Sequence, residues 1–368
     1  MKYSDELLEK YLTEEQFLSR FSTVSPILPS PSITGYRCKI QAVCGMENGK
    51  LVTGIYRKGS HKLIPIRSCP LEDERAPLIL STIRTLANRF HIKAYDEDKG
   101  TGHLRHVLIR CSEYYDEVLV VLVTSSYDLP SASDLAAAIH QKHPEVKSIS
   151  IIVNTEKTSM VIPPNAREKV IYGKGYIMDR LLGLDFRISA LSFYQVNPRQ
   201  ARNLYTIAMN MAELRDDDVV IDAYSGTGTI ALIASRSGAG KVIGVEANED
   251  AVLDAKENAR INGIDNAEFV VADASRWLKE KAKEGLRASV LFLDPPRSGA
   301  TEEFLAAAGR IDFERIIYVS CNPETLGRDL RYIYRFLPYR AIGIQPVDLF
   351  PGSSHIETVV VLERTRRR

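Results

Sequence analysis

The sequence predicts an α/β protein in two parts: an α+β region followed by a C-terminal, seven-stranded, doubly wound parallel sheet. Three observations carry this. After Gly173, short apolar runs without alternation, as expected of strands buried on both faces, are separated by stretches of helical periodicity. Between 35 and 175, β-rich runs are interrupted by only two helical stretches. At 368 residues the chain is too long for one ordinary domain and comfortable for two. The expected division is a helix and linker over 1–34, an α+β domain over 35–175 and the doubly wound domain over 176–368.

The elements follow in order. Residues 4–20 carry Leu7, Leu8, Tyr11, Leu12, Phe17 and Leu18 at helical spacing and predict an amphipathic helix. Pro26, Pro29 and Pro31 end it and open an extended linker. Strands are expected over 38–44, 51–56, 106–111, 118–124, 149–154 and 158–161, paired antiparallel. Helices are expected over 72–90 and 131–141, the second capped by Ser131 and Ser133. In the C-terminal part the strands are 219–222, 242–246, 269–272, 290–294 and 316–320. Helices over 229–237, 250–262, 274–284, 302–309 and 323–336 alternate with them, and strands near 341–346 and 358–363 complete the sheet.

Composition removes several classes. Hydrophobic residues at 45% and charged residues at 26% are ordinary globular values. No run of about 18 apolar residues offers a membrane span. The start, Met1-Lys2-Tyr3-Ser4-Asp5-Glu6, leads into no apolar signal-peptide core, so the cytoplasm is expected; a monomer is the separate expectation for its assembly. The net charge of +1 divides as +3 over residues 1–190 and −2 over the remainder, too even to establish a nucleic-acid partner. The cysteines Cys38, Cys44, Cys69, Cys111 and Cys321 form no C-x-x-C pair, and position 47, where a third cluster ligand would stand, is Glu47. Neither a disulfide framework nor an iron–sulfur cluster is expected. The first four thiols read as buried packing groups.

The first strand of the C-terminal domain feeds Ala223-Tyr224-Ser225-Gly226-Thr227-Gly228-Thr229. Gly226 and Gly228 let the backbone turn close to a ligand before a helix begins. With Ala231 this is G-x-G-x-x-A, and Glu246 lies twenty residues beyond Gly226, so a nicotinamide dinucleotide stays open. Asp222 favours S-adenosylmethionine instead, since a strand-end carboxylate repels a pyrophosphate and welcomes the methionine amino group. Glu246 suits the ribose hydroxyls under either reading, and Asp273 the adenine amino group. The same acids would also serve as plain helix N-caps.

The fourth strand ends in Asp294-Pro295-Pro296-Arg297-Ser298-Gly299. The proline pair fixes the backbone and removes two donors, exposing carbonyls and the Asp294 carboxylate to a base-sized ligand. Similar D/N-P-P turns occur in methyltransferases acting on exocyclic adenine nitrogens. Cys321 follows the fifth strand, just before a helix beginning near Pro323, where a helix dipole lowers a thiol pKa. A buried packing cysteine is the plainer reading, but the strand's carboxyl end makes Cys321 a candidate nucleophile. Such a thiolate has a specific use: carbon 5 of uracil attacks a sulfonium methyl group only after thiolate addition at carbon 6. A base must then take the carbon-5 proton, and Glu357, in Ser353-Ser354-His355-Ile356-Glu357-Thr358, is the candidate, with His355 as a positioning group. Upstream, Phe193-Tyr194-Gln195-Val196-Asn197-Pro198 opens a helix, and Gln195 can hydrogen-bond the cofactor carboxylate or the base.

Together F-Y-Q-V-N-P, D-A-Y-S-G-T-G-T, L-D-P-P-R-S-G, S-C-N-P-E-T-L and S-H-I-E-T-V resemble the uracil-C5 RNA methyltransferase family, over roughly residues 30–368. The resemblance implies an S-adenosylmethionine-dependent enzyme making 5-methyluridine in structured RNA. It implies cofactor contacts from Gln195, Tyr224, Gly226, Thr229, Glu246, Asp273 and Asp294, Cys321 as nucleophile, Glu357 as base, and no metal. Tyr36-Arg37-Cys38-Lys39, the segment Gly54-Ile55-Tyr56-Arg57-Lys58-Gly59-Ser60-His61 and Leu104-Arg105-His106 look closer to the ribosomal-RNA branch, 23S RNA above all, than to the transfer-RNA branch.

Two features depart from many members of that family: neither an N-terminal OB-type domain nor a four-cysteine iron–sulfur loop is present in these residues. RNA grip is then expected from the basic stretches 57–62 and 103–106, with nonspecific attraction from Arg364-Thr365-Arg366-Arg367-Arg368. Two other classes remain open. A nicotinamide oxidoreductase leaves Cys321 and the Asp294-Pro295-Pro296 turn without a purpose. A noncatalytic RNA-binding factor leaves Cys321 and Glu357 together without one.

Overall fold

The computed structural model describes residues 2–156, 160–163 and 166–365. The chain divides into two compact units, one formed by Met1–Ile33, Leu181–Asp185 and Ser192–Arg368, the other by Thr34–Arg180 and Phe186–Leu191. Among the described residues no helix is long and apolar enough to cross a membrane.

The division differs from 1–34, 35–175 and 176–368 in two places: the first 33 residues are part of the C-terminal unit, and 176–180 with 186–191 belong to the other. Helix α1 (Tyr3–Leu18) buries Lys10, Glu14 and Leu18, one residue per turn. Leu8 and Leu12 stand 58% and 54% exposed, whereas Leu18 is buried and Tyr11 and Phe17 pack against the core, so the expected apolar stripe is covered only in part. The fold supplies partners that let polar groups take that face: Lys10 Nζ donates to Asp348 Oδ1 at 2.7 Å, Glu6 Oε1 at 2.7 Å and the Phe350 carbonyl at 3.2 Å. The proline-rich stretch that follows lies along the sheet edge rather than acting as a free link. Ser25 N donates to the Ile344 carbonyl at 3.0 Å and Leu28 N to that of Pro346 at 2.9 Å.

The second unit contains β1 (Lys39–Glu47), β2 (Lys50–Tyr56), β3 (Leu63–Pro65), α2 (Arg75–Arg89), β4 (Leu104–Cys111), β5 (Val118–Thr124), α3 (Ala132–Lys142), β6 (Val146–Val153) and β7 (Glu168–Tyr172). Its sheet runs β3-β2-β1-β4-β5-β6-β7. Pairing is antiparallel except between β5 and β6, which are parallel because α3 provides the crossover such a pair needs. Ser131 takes a left-handed conformation and its side chain caps nothing, contrary to expectation. Of the strand expected over 158–161, Thr158 and Ser159 lie outside the described residues and 160–161 are not strand. Cys38, Cys44 and Cys111 are buried, whereas Cys69 is only partly so. Burial pushes Cys38 and Cys44 up to about 12, so they are inert thiols.

Between β7 and the next helix in sequence, β8 (Tyr176–Leu181) and β9 (Leu184–Ser189) form a two-stranded hairpin that the sequence pattern does not suggest. Its turn is Leu182-Gly183, both left-handed, the geometry of a two-residue hairpin loop.

The C-terminal unit continues with α4 (Pro198–Ala212), β10 (Val219–Ala223), α5 (Thr229–Arg236), β11 (Lys241–Glu246), α6 (Glu249–Ile261), β12 (Ala267–Val271), α7 (Ala274–Lys283), β13 (Val290–Leu293), α8 (Glu302–Ala308), β14 (Arg315–Ser320), α9 (Pro323–Phe336), β15 (Tyr339–Val347) and β16 (Glu357–Arg364). The sheet order is β12-β11-β10-β13-β14-β16-β15. Strands β10 to β14 pair parallel as expected, but β16 runs antiparallel to both β14 and β15. It follows β15 without a helix, so no crossover is available to return it in the parallel sense. Strand order reverses at β10, which places a switch-point crevice beyond the carboxyl ends of β10 and β13. Ile221, Leu291, Phe304, Tyr318, Leu330 and Val360 belong to the core beneath it.

Candidate active site

Strand register brings the site residues to one level. Ala223 pairs with Val245 on β11 and with Leu293 on β13, so Tyr224, Glu246 and Asp294 are each the next residue along, at the carboxyl ends of adjacent strands. Leu293 pairs with Tyr318, which sets Cys321 two residues past the level of Asp294 on the neighbouring strand. Ser320 pairs with Thr358 on antiparallel β16. The preceding residue of one strand therefore opposes the following residue of the other, and Glu357 stands across from Cys321. An antiparallel last strand thus delivers a carboxyl opposite a thiol.

The loop after β10 is bent by three left-handed residues, Tyr224, Gly226 and Gly228, with φ of 64°, 53° and 82°. Tyr224 is the strained one, since left-handed backbone costs a side-chain-bearing residue of order 1–3 kcal/mol. Its ring packs on Phe304 at 5.3 Å, and its hydroxyl bonds Ser275. A Cβ on Gly228 would come within 2.8 Å of the Phe269 ring. Gly226 N donates to Glu246 Oε2 at 3.0 Å, and Asn248 N to Glu246 Oε1 at 2.8 Å. Thr229 opens α5. Asp273 is exposed and caps α7, accepting from Arg276 N at 2.9 Å.

Asp222 is fully buried, its Oδ2 accepting from Ala231 N at 2.9 Å. Its Oδ1 and the Ser225 hydroxyl are buried and have no hydrogen-bond partner among the described residues. An acceptor and a hydroxyl left over in a glycine loop fit a ligand carrying an ammonium group, such as S-adenosylmethionine. Burial holds the Asp222 carboxyl well above the ordinary carboxylate range.

The turn after β13 is fixed from α9. Asn322 Nδ2 and Thr325 Oγ1 each donate to the Arg297 carbonyl at 3.3 Å. Arg328 Nη2 donates to the carbonyls of Ser298 and Ala300 at 2.8 and 3.1 Å. Buried Asp329 accepts from Ala300 N at 2.8 Å and from the Tyr318 hydroxyl at 2.6 Å. Gly299 has φ of 77°, and a Cβ there would meet Arg328 and Asp329 at 2.6 Å.

Cys321 is half-buried and its thiol is pushed up to about 11, by burial first and then by the Glu357 and Asp294 carboxyls; Arg297 opposes this. The direction is opposite to the lowering expected from the helix N-terminus. Asp294 is raised to about 7 by burial. Glu357, 4% exposed, is held well above the ordinary range by burial and by the carboxyls of Asp294 and Glu14, again against Arg297. Gln195 is buried and bonds Tyr205 on α4. His355 is exposed, its Nδ1 lying 3.1 Å from Arg297 Nη2.

The structure brings to the site four residues to which the sequence assigns no role. Arg297 is visible as the residue after the proline pair, while nothing in the loop sequence distinguishes Ser225. Tyr205 and Glu14 had no local signal, since only packing brings them near the site. Of the basic stretches, 57–62 is exposed throughout. In the other, His103 is half-buried and the remaining basic groups are withdrawn from solvent. Arg105 is buried and gripped by Glu97 through two bonds of 2.9 and 2.7 Å, and burial depresses His106 to about 4. Arg366, Arg367 and Arg368 lie outside the described residues.

The family model described as tRNA (uracil-5-)-methyltransferase matches residues 2–365. An uncharacterized RNA methyltransferase of Halalkalibacterium halodurans is 39% identical over 368 residues, covering 99% of this chain and 80% of that protein. One from Caldanaerobacter subterraneus is 40% identical over 329 residues, covering 89% and 72%. Among solved structures, the tRNA (uracil-54, C5)-methyltransferase of Pyrococcus abyssi, in complex with S-adenosyl-L-homocysteine, superposes with a TM-score of 0.81 at 28% identity, covering 98% of this chain and 84% of that one.

Proposed function

Because the chain belongs to the tRNA (uracil-5-)-methyltransferase family, we propose that it methylates carbon 5 of a uridine in structured RNA through a covalent bond between Cys321 and carbon 6. The protein is an S-adenosylmethionine-dependent RNA methyltransferase. The observation that supports the covalent route is the register of β14 and β16, which opposes Cys321 to Glu357.

When bound, S-adenosylmethionine supplies an electrophilic methyl group to carbon 5. Asp222, Tyr224, Ser225, Gly226 and Thr229 would hold it from the loop, with Gln195, Glu246, Asp273 and Asp294 around it. The chain's own residues do the rest. The Cys321 thiolate adds to carbon 6, and the electrons of the 5,6 double bond move onto oxygen 4, making carbon 5 nucleophilic. Arg297 is the cation that favours both the thiolate and the ionised Glu357. After methyl transfer Glu357 takes the carbon-5 proton, the double bond reforms and the bond from Cys321 to carbon 6 breaks. A raised Glu357 is a stronger base for that step.

Ribosomal RNA, 23S above all, is the favoured substrate, on the likeness of the central motifs to that branch. Transfer RNA is the second reading, supported by the likeness to the Pyrococcus abyssi enzyme. Transcripts of 23S RNA fragments and of tRNAs, each made with 5-fluorouridine, test both, because fluorine at carbon 5 blocks elimination. A denaturant-resistant complex with a 23S fragment, lost in Cys321→Ala, is expected. A complex with tRNA alone would favour the second reading, and none with either would overturn the covalent route.

A further inference from the structure

We propose that Glu14, on α1, is a positioning residue for the Glu357 base, holding the start of β16 through Thr358. Its carboxyl reaches that strand from the N-terminal helix: Glu14 Oε2 accepts from Thr358 Oγ1 at 2.8 Å, across 344 residues of sequence. Glu14 is 0% exposed, and its Oε1 has no hydrogen-bond partner among the described residues. A buried carboxyl with an unused oxygen is costly, and a purely structural cap would be served as well by a neutral side chain.

Successive strand residues face opposite sides, so fixing Thr358 from one face fixes Glu357 on the other. The same helix anchors the segment leading to β16. Besides the Lys10 bonds to Asp348 and Phe350, the Tyr3 hydroxyl donates to Asp348 Oδ2 at 2.7 Å, and Gly352 N donates to Glu6 Oε1 at 2.8 Å. Glu14 also acts through space. Burial raises it to about 7, so above that pH it carries a negative charge that opposes ionisation of Glu357. The other charged or titratable groups acting on Glu357 come from elsewhere: Asp294 and Arg297 from the turn after β13, Cys321 from the end of β14 and Tyr205 from α4. Glu14 is the contribution of α1.

The inference rests on Glu357 being the base, and the test separates the two. The probe is total RNA from cells lacking this gene, labelled with [5-³H]uridine. Tritium release reports loss of the carbon-5 proton and methyl incorporation reports transfer. In the intact enzyme, release should fall on the acid side as Glu357 becomes protonated. Glu14→Gln keeps an acceptor for Thr358 but removes the charge. It should move that limb to lower pH by about half to one unit, giving about three- to tenfold faster release below the original limb. Thr358→Val, which cuts the bond that holds the strand and drives Glu14 to its neutral form, should lower release at every pH as well as move the limb the same way; it stands in if Glu14→Gln does not fold. A limb unmoved in a folded variant, while Glu357→Gln abolishes release, overturns the role of Glu14 alone. Release by Glu357→Gln at the wild-type rate overturns the base itself, and the role of Glu14 with it.

Discussion

At the scale of single residues, the pair Cys321 and Glu357 is poised by burial, and each has a distinct experimental signature. Glu357→Gln should allow thiolate addition and methyl transfer but block proton removal. RNA should then accumulate on Cys321 as a denaturant-resistant species, with turnover lowered about 10²–10⁴-fold. Denaturing electrophoresis checks this, and turnover at the wild-type rate without an adduct would point to another base. Cys321 itself, raised to about 11, should be a slow thiol in the absence of RNA. Its alkylation by iodoacetamide, followed by mass spectrometry, should climb with pH through 9 and 10 instead of levelling near neutrality. Arg297→Ala should slow it further, because the opposing cation is gone. A plateau at pH 7 would show that the helix dipole governs the thiol after all.

At the scale of elements, the loops of the crevice are held by neighbours distant in sequence, and two points of attachment can be weighed. Gly299 lets the turn after β13 pass against Arg328 and Asp329. Gly299→Ala adds a Cβ 2.6 Å from both groups in a left-handed conformation, and should cost activity before it costs the fold, since the turn carries Asp294 and Arg297. A melting curve and a turnover assay on the same preparation decide the order. Helix α1 is held by a buried ion pair, Lys10 being 3% and Asp348 0% exposed at the side chain. Lys10→Met leaves Asp348 a buried carboxylate without its cation, so a loss of about 3–5 kcal/mol is expected in urea unfolding. A loss under 1 kcal/mol would mean that the Tyr3 hydroxyl and Phe350 N suffice to hold Asp348.

For the whole molecule, buried carboxyls give stability an unusual pH dependence. Glu14, Asp222, Asp294 and Glu357 all lie above their ordinary range in the fold. The folded state then holds protons that the unfolded chain releases, so the stability due to these groups is complete below the unfolded pKa, near 4 to 4.5, and is lost as pH rises through the folded values. For Glu14 the window runs from about 4.5 to about 7. Glu14→Gln keeps the dependence due to the other three carboxyls and lacks only this part of it. Relative to it, the wild type should lose up to about 3 kcal/mol between pH 4.5 and pH 8, read from urea midpoints at each pH. Parallel pH curves for the two proteins would show that Glu14 is not raised.

The C-terminal fold was legible in the sequence because its physics is local. Apolar runs such as 219–222 and 290–294 can be strands only where both faces are covered, and the glycines and strand-end acids between them sit where a parallel sheet must open. Cys321, Glu357, Glu246 and Asp294 could be named for the same reason: each stands at the end of a run that announces itself. The direction of β16 was not written locally, since antiparallel return depends on the missing crossover, and it is that direction which sets Glu357 across from Cys321. The burial of Lys10 and Glu14 in place of Leu8 and Leu12 was equally invisible. Helical spacing gives a stripe, but which stripe is covered depends on Asp348 and Thr358, more than 300 residues away. The thiol's acidity followed the same rule. A helix N-terminus is visible in sequence, whereas two carboxyls closing on that thiol, and the loss of water around it, exist only once the sheet has formed.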